Sequence, residues 1–287
     1  MTDKFHLGII GGSGLYEFPG LENKESINMK TPFGEPSSAI MTGSLNGKRI
    51  AFLARHGIGH ILSPTEINYR ANIFALKSLG ISQVVSVSAC GSLREDYAPG
   101  EIIIPDQVFD HTNQRIRTFS NDGIVAHVGV PSPFCARLSQ KVTNALAKTH
   151  AQVHQGGTYI TIEGPRFSTI AESNVYRSWG MSIIGMTACP EVFLAKEAEM
   201  CYVTMAHVTD YDVWHNTEEP VSVEMVIRTL QKNTEIAQEA IAHLLDDVTL
   251  NPNCVCQDSL KNSIMTRNDL ITNETRNRLG VLVDKYL

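Results

Sequence analysis

Short β-branched apolar runs that stop at turns constrain the fold of this chain most. "HLGII", "RIAFLA", "QVVSVSA", "GEIIIPDQVF", "MSIIGM" and "CYVTMAHV" have the length and residue types of buried strands. Between some of them lie helical patterns. "SPTEINYRANIFALKSLG", Ser63 to Gly80, opens on serine and proline and stops on glycine, as a helix does. "PSPFCARLSQKVTNALAKTH" repeats the pattern after Pro131, and "CPEVFLAKEAEM" gives a shorter helix. In "SVEMVIRTLQKNTEIAQEAIAHLLDDV", Val223, Val226, Ile227 and Leu230 share one helical face, with Ser222 placed as N-cap. Strands alternating with helices predict an α/β fold around a mixed sheet. One composition shift follows Val248, where the chain turns polar and rich in Asn. The expectation is one domain over 1–248 and a partly helical extension, 249–287, packed on it.

The first strand runs into a glycine turn, "GIIGGSGLYEF". It fails the dinucleotide pattern G-x-G-x-x-G, because counting from Gly12 the third glycine position holds Glu17. No P-loop lysine follows. The nucleophile elbow G-x-S-x-G fails as well, with Leu15 at its last position. What remains is a strand followed by Gly11, Gly12, Ser13 and Gly14, whose N–H groups and hydroxyl suit one small anion. Taken alone, it is equally a tight turn with a structural serine. Two further strand ends strengthen the anion reading. Arg55 and His56 follow "RIAFLA" directly, and a guanidinium is a fixed fork of donors suited to phosphate. Ser88 and Ala89 close another strand at "SACGSL". A net charge of −6 argues against a general nucleic-acid binder, so phosphate would be held by a few placed groups.

The N-terminus "MTDKFHLGII" lacks the pattern of a signal peptide, and no apolar run approaches membrane-spanning length. The six cysteines are Cys90, Cys135, Cys189, Cys201, Cys254 and Cys256. Four of them stand among apolar neighbours as buried thiols. The expected setting is reducing and cytoplasmic. "CVC" at Cys254 to Cys256 is too short for a usual zinc knuckle. It reads as two free thiols on a surface tail or as a tight redox pair.

With these segments assembled, the chain resembles the trimeric purine nucleoside phosphorylase family, and within it the 5′-methylthioadenosine phosphorylase branch. The resemblance covers residues 5–248 and rests on "GIIGGSGLY", "TPFGEPS", "RHGIGHILSPTEINYRANI", "SACGSL", "PGEIIIPDQ", "EGPRFST", "GMTACPEVFLAKEAEMCY" and "TDYDVW". It implies a phosphorylase/hydrolase-like fold with a mixed, partly barrel-like sheet, and 1–248 as the catalytic domain. The implied reaction is phosphorolysis of 5′-methylthioadenosine to adenine and 5-methylthioribose 1-phosphate. Inorganic phosphate is a co-substrate, and no metal or other cofactor is needed. The implied phosphate site is Ser13, Arg55, His56, Ser88, the Ala89 backbone and Thr187. Many relatives have threonine where Ser13 and Ser88 stand; serine keeps the hydroxyl.

By the same resemblance, Asp210 serves purine N7 as the general acid and Asp212 lies beside it. Phe167 stacks on the base or ribose, Ser168 stands near the base and Met186 lies under the ribose. Branches that favour 6-oxopurines carry asparagine at the place of Asp210 and glutamate at that of Ser168, so both positions point to adenine. Val223, Val226 and Ile227 would form an apolar wall for the methylthio group. His127 would reach the neighbouring subunit's site, and His215 to Ser222 would form a flap. The implied assembly is a homotrimer or a dimer of trimers, with no nucleic-acid or membrane partner. The alternatives are a 5′-methylthioinosine or broad purine nucleoside phosphorylase, and a non-catalytic purine-binding protein.

Overall fold

In the computed structural model, the apolar runs form the middle of a large mixed sheet. The structure describes residues 4–12, 15, 18–215 and 223–287, the side chains of 223–232 excepted. The strands are β1 (Leu7–Gly11), β2 (Glu22–Ile27), β3 (Ile40–Leu45), β4 (Lys48–Ala54), β5 (Gln83–Ser92), β6 (Ile102–Ile104), β7 (Gln107–His111), β8 (Val153–Gln155), β9 (Thr158–Ile162), β10 (Ile183–Gly185) and β11 (Cys201–Asp210). The helices are α1 (Tyr69–Ser78), α2 (Ala136–Leu146), α3 (Ile170–Ser178), α4 (Ala188–Glu197), α5 (Val223–Asp247) and α6 (Asn273–Leu279). The strand order is β2-β3-β4-β1-β5-β10-β9-β7; β11 branches from β5, with β6 and β8 beyond it. The α/β class and mixed sheet predicted from the alternation are therefore present.

Four neighbouring strands place the chemistry. β4, β1, β5 and β11 run parallel, with Gly11 opposite Ala54, Ile10 opposite Ser86 and Ala206 opposite Ser88. Their carboxyl ends therefore emerge on one edge, where open parallel sheets collect ligands. β10 runs antiparallel to β5, with Ile183 opposite Ser92 and Ile184 opposite Gly91. The chain leaving β10 at Met186 and Thr187 thus heads back along β5 toward Ala89 and Ser88.

Helices cover both faces. α1 and α4 pack over Ile10, Leu53 and Val84. α2 and α5 cover Val85, Val203 and Met205. α1 is shorter than the sequence suggested. Asn68, not Ser63, is its N-cap, accepting from the Ala71 N–H. The sequence pattern ran through the preceding turns because proline and serine can also open a turn. "GEIIIPDQVF" is two strands, β6 and β7, broken at Pro105 and Asp106.

The segment after Val248 is built from short 3₁₀ turns and α6. Ile271, Leu279, Leu282 and Val283 join the core that holds Phe119, Phe134 and Tyr202. Cys256 is buried with α2, α5 and β11 residues, so the reading of "CVC" as two thiols on a surface tail is corrected. Among the described residues, no helix is long and apolar enough to cross a membrane.

Candidate active site

The glycine turn owes its composition to packing as well as to any ligand. Gly11 has no positive φ. A Cβ there would stand 2.3 Å from Leu15 Cδ1, whereas one on Gly12 would meet nothing within 4 Å. So Gly11 admits Leu15 to the core, while Gly12 borders open space. Ser13 lies outside the described residues. The turn is tied to the next strand end by the Arg55 N–H, which donates to Gly11 O at 3.1 Å.

Arg55 is buried under β5 and largely committed to protein partners. Its Nε and Nη2 donate to the Glu191 carboxylate at 2.8 and 2.9 Å. Nη2 also donates to Ser86 Oγ at 2.6 Å, and Nη1 to Val87 O at 3.2 Å. Burial alone would lower the Arg55 pKa; the Glu191 charge more than reverses this and holds it above its ordinary value. Among the described residues one Nη1 N–H is left unclaimed, in place of the full fork the sequence suggested. Glu191 read as a helix carboxylate in "CPEVFLAKEAEM", yet it is fully buried and also accepts from the Tyr202 hydroxyl at 2.7 Å.

His56 is tuned in a way the sequence did not show. Its Nδ1 lies 2.9 Å from Leu62 O. A carbonyl only accepts, so Nδ1 carries the proton. Burial, partly offset by that hydrogen bond and reinforced by Arg55 and His60, pushes the pKa down to about 4. The ring is therefore neutral near pH 7, and Nε2 presents a lone pair rather than a donor. It matches the P–O–H of monohydrogen phosphate, not a bare phosphate oxygen.

Ser88 and Thr187 supply hydroxyls; Ser88 and Ala89 do not close their strand as the glycine turn suggested, because β5 runs on through Gly91 to Ser92. Ser88 Oγ is buried beside the Tyr159 hydroxyl, and neither closes a hydrogen bond of good geometry. Thr187 is the N-cap residue of α4, but its side chain makes no cap hydrogen bond. Both hydroxyls thus have capacity for a ligand; Cys189, extended at φ −102° and ψ 136°, breaks α4 just after Thr187, so no helix dipole is aimed at that hydroxyl.

Asp210 closes β11, and Asp212 stands in the turn that follows. Asp210 Oδ2 accepts from Thr209 Oγ1 at 2.6 Å, and Oδ1 from the Asp212 N–H at 2.8 Å. Burial nevertheless raises its pKa to about 6, with a smaller push from Asp212. A Cβ on Gly91 would lie 2.8 Å from Asp210 Oδ1, so glycine opposite this strand end makes room for the carboxyl. Asp212 stands at φ 50°, a conformation few residues other than glycine adopt. Its Oδ2 and the nearby Ser173 Oγ are buried without closing a hydrogen bond.

Phe167 is 39% exposed, and Ser168 next to it is buried with its Oγ unpartnered. They stand just before Thr169, whose capping box with Glu172 fixes the start of α3. Met186 fills space above Gly164, where a Cβ would come within 2.5 Å of its Sδ. Sequence reasoning missed what aligns these loops. The buried Arg115 donates through Nη1 to Met186 O at 2.6 Å and Cys189 O at 2.7 Å, and through Nη2 to Glu163 O at 2.8 Å. In "NQRIRTF" it reads as an ordinary loop charge; only the fold shows it bolting the turns after β9 and β10 together.

α5 begins at Val223, but the side chains of Val223, Val226 and Ile227 lie outside the described residues, as does the flap after His215. His127 is on an exposed loop, its N–H bonded to Ser263 O at 2.9 Å. A separate polar cleft of about 210 Å³ is lined by His111, Glu163, Gly164, Arg166, Glu172 and Tyr176, among others. It borders the Glu163–Gly164 turn but holds none of the predicted site residues.

Comparison with known proteins gives the family and the fold. Residues 6–248 match the phosphorylase superfamily model. The chain is 48% identical to the S-methyl-5′-thioadenosine phosphorylase of Koribacter versatilis, over 98% of this chain and 96% of that protein. It is 49% identical to that of Geobacter sulfurreducens, over 98% and 99%. Among solved structures it is similar to a methylthioadenosine phosphorylase from an antarctic soil metagenomic library, with a TM-score of 0.93 at 44% identity over 98% of this chain and 100% of the other. The Schistosoma mansoni methylthioadenosine phosphorylase in complex with adenine superposes with a TM-score of 0.85 at 36% identity, over 93% and 100%.

Proposed function

The chain belongs to the phosphorylase superfamily, and on that premise we propose that it phosphorolyses 5′-methylthioadenosine to adenine and 5-methylthioribose 1-phosphate. The observation that carries the reading is Asp210: a buried carboxyl with its pKa raised to about 6, on the strand paired with β5, which carries Ser88, while Arg55 and His56 follow β4. Raised so, it can hold a proton for purine N7 near neutral pH.

Phosphate is bound by the hydroxyls of Ser13, Ser88 and Thr187, the Ala89 backbone and the remaining Arg55 N–H, with His56 Nε2 accepting a hydrogen bond from the P–O–H group. The C1′–N9 bond breaks with its electron pair passing to the purine, and Asp210 gives its proton to N7. A phosphate oxygen closes on C1′. The phosphate dianion stabilises the positive charge that builds on the sugar. The proton that phosphate brings in balances the one delivered to the base. Phosphate is a co-substrate, and the chemistry calls for no cofactor.

Asp212 and Ser168 offer polar capacity to the adenine edge, Phe167 and Met186 are assigned to base and ribose, and the family resemblance assigns Val223, Val226 and Ile227 to the methylthio group. The unit of function is a homotrimer, or a dimer of trimers, in which His127 serves a neighbouring site. Exposed Phe109, Ile170, Val175 and Trp179 suit a subunit interface. The free thiols suit a reducing, cytoplasmic setting.

Adenine release from 5′-methylthioadenosine, run beside 5′-methylthioinosine and inosine, tests the substrate. Preference for the adenine compound supports Asp210 and Ser168 as assigned. Faster turnover of the 6-oxo compounds would reverse that assignment, and binding without turnover would favour a purine-binding protein.

A further inference from the structure

At the opposite end of β11, four thiols from three distant parts of the chain converge. Cys201 opens β11, Cys135 is the N-cap residue of α2, and Cys254 and Cys256 bracket the first turn of the tail. Their Sγ atoms all lie within 4.8 Å of one another, and those of Cys135 and Cys254 are 3.6 Å apart. Cys135, Cys201 and Cys256 are buried and Cys254 is half-buried.

The spacing has a chemical meaning. Zinc–thiolate bonds are about 2.3 Å, which puts the sulfurs of a tetrahedral site roughly 3.8 Å apart. Four sulfurs gathered around one point at about that separation match a single ion bound by all of them. Disulfide pairing would draw them together two by two. The C-x-C spacing, too short for a zinc knuckle by itself, works here because Val255 between the pair is turned out to solvent at 84% exposure. The remaining two ligands come from the body of the protein.

We propose that Cys135, Cys201, Cys254 and Cys256 bind one zinc ion as a closed tetrathiolate site that fastens the 249–287 segment to the α2–β11 core. The surroundings suit it. The Leu138 N–H at the start of α2 donates to Cys135 Sγ at 3.4 Å, the kind of outer contact that supports a metal thiolate. Lys196 lies near Cys256, and Lys141 near Cys201, so positive charge faces the excess negative charge of four thiolates. Leu138, Val203 and Val248 form an apolar shell. With four protein ligands, no position is open to substrate, so the site is structural. Along the extended strand it lies about 30 Å from Asp210.

The full chain, purified without added metal, is assayed for zinc by elemental mass spectrometry after dialysis against EDTA. The proposal expects about one zinc per chain, released when the thiols are titrated with p-hydroxymercuribenzoate. Cobalt exchanged into the wild type should give the charge-transfer and d–d bands of tetrahedral thiolate coordination. Cys201→Ser and Cys256→Ser should lose the metal, and Cys90→Ser, outside the cluster, should keep it. Because the serine variants can fail to fold, the wild-type zinc content and cobalt spectrum decide by themselves. Absence of zinc overturns the proposal, whether the denatured intact mass shows disulfides or all thiols free.

Discussion

The two ends of β11 make different demands. Toward its carboxyl end stand groups whose polar capacity the protein leaves partly unmet: Ser88 Oγ, on β5 opposite Ala206, and Asp212 Oδ2 and Ser173 Oγ are buried without a partner. At its amino end, Cys201 sits among three other sulfurs that neither form disulfides nor reach solvent freely. Buried polar groups are ordinarily paired, so each end points to a species that the chain does not itself contain. The difference is permanence. On the proposed reading, the carboxyl end exchanges a substrate, whereas the amino end joins a helix cap, a strand start and the tail around one ion.

The largest expected effect separates the chemistry from the scaffold. Asp210→Asn should lower turnover of 5′-methylthioadenosine about 10²–10⁴-fold with little change in melting temperature. In the wild type, rate should fall as pH rises through about 6, where Asp210 loses its proton. Steady-state kinetics across pH would show that limb vanish in the variant; a limb that survives would move the acid elsewhere.

Glu191→Ala tests whether the carboxyl end also holds the fold. It strands the buried Arg55 charge, so a loss of about 3–5 kcal/mol is expected in urea unfolding. A loss below about 1 kcal/mol would mean that the pair behaves as a surface ion pair. Gly91→Ala should be milder, about 1–3 kcal/mol, because its Cβ must displace the Asp210 carboxyl. Kinetics should then show a loss of turnover as well as of stability.

His207 gives the smallest and most revealing contrast. It lies opposite Ala89 on β11, fully buried, with both ring nitrogens unpartnered. Burial lowers its pKa to about 4. The unfolded chain therefore binds the extra proton first, and stability should fall as pH drops from about 6.5 to about 4, by up to about 3 kcal/mol. Asp210 works the other way: its raised pKa adds stability as pH falls from about 6 to about 4. His207→Leu should remove the acid-side loss and raise neutral stability by about 1–2 kcal/mol. Unfolding midpoints compared across pH would check both signs.

The sequence disclosed what local pattern encodes. β1, β4, β5 and β11 are apolar and β-branched, and their shared edge follows from strands alternating with helices. β2 was not legible, since "ENKESI" is almost wholly exposed and carries no apolar alternation. Glu191 and Arg115 looked like surface charges because nothing local distinguishes a buried, paired charge from a solvated one. His56 could be named from sequence, but its tautomer depends on Leu62 O, which only the turn brings near. The cysteine cluster needed three distant segments, so "CVC" alone pointed the wrong way.

The measurement that bears most directly on the account is adenine release from 5′-methylthioadenosine with and without inorganic phosphate, the sugar product followed by phosphorus NMR. Release should depend on phosphate and yield 5-methylthioribose 1-phosphate. Adenine released equally without phosphate, with free methylthioribose as product, would contradict an anion site at the ends of β1 and β4 beside Ser88 of β5.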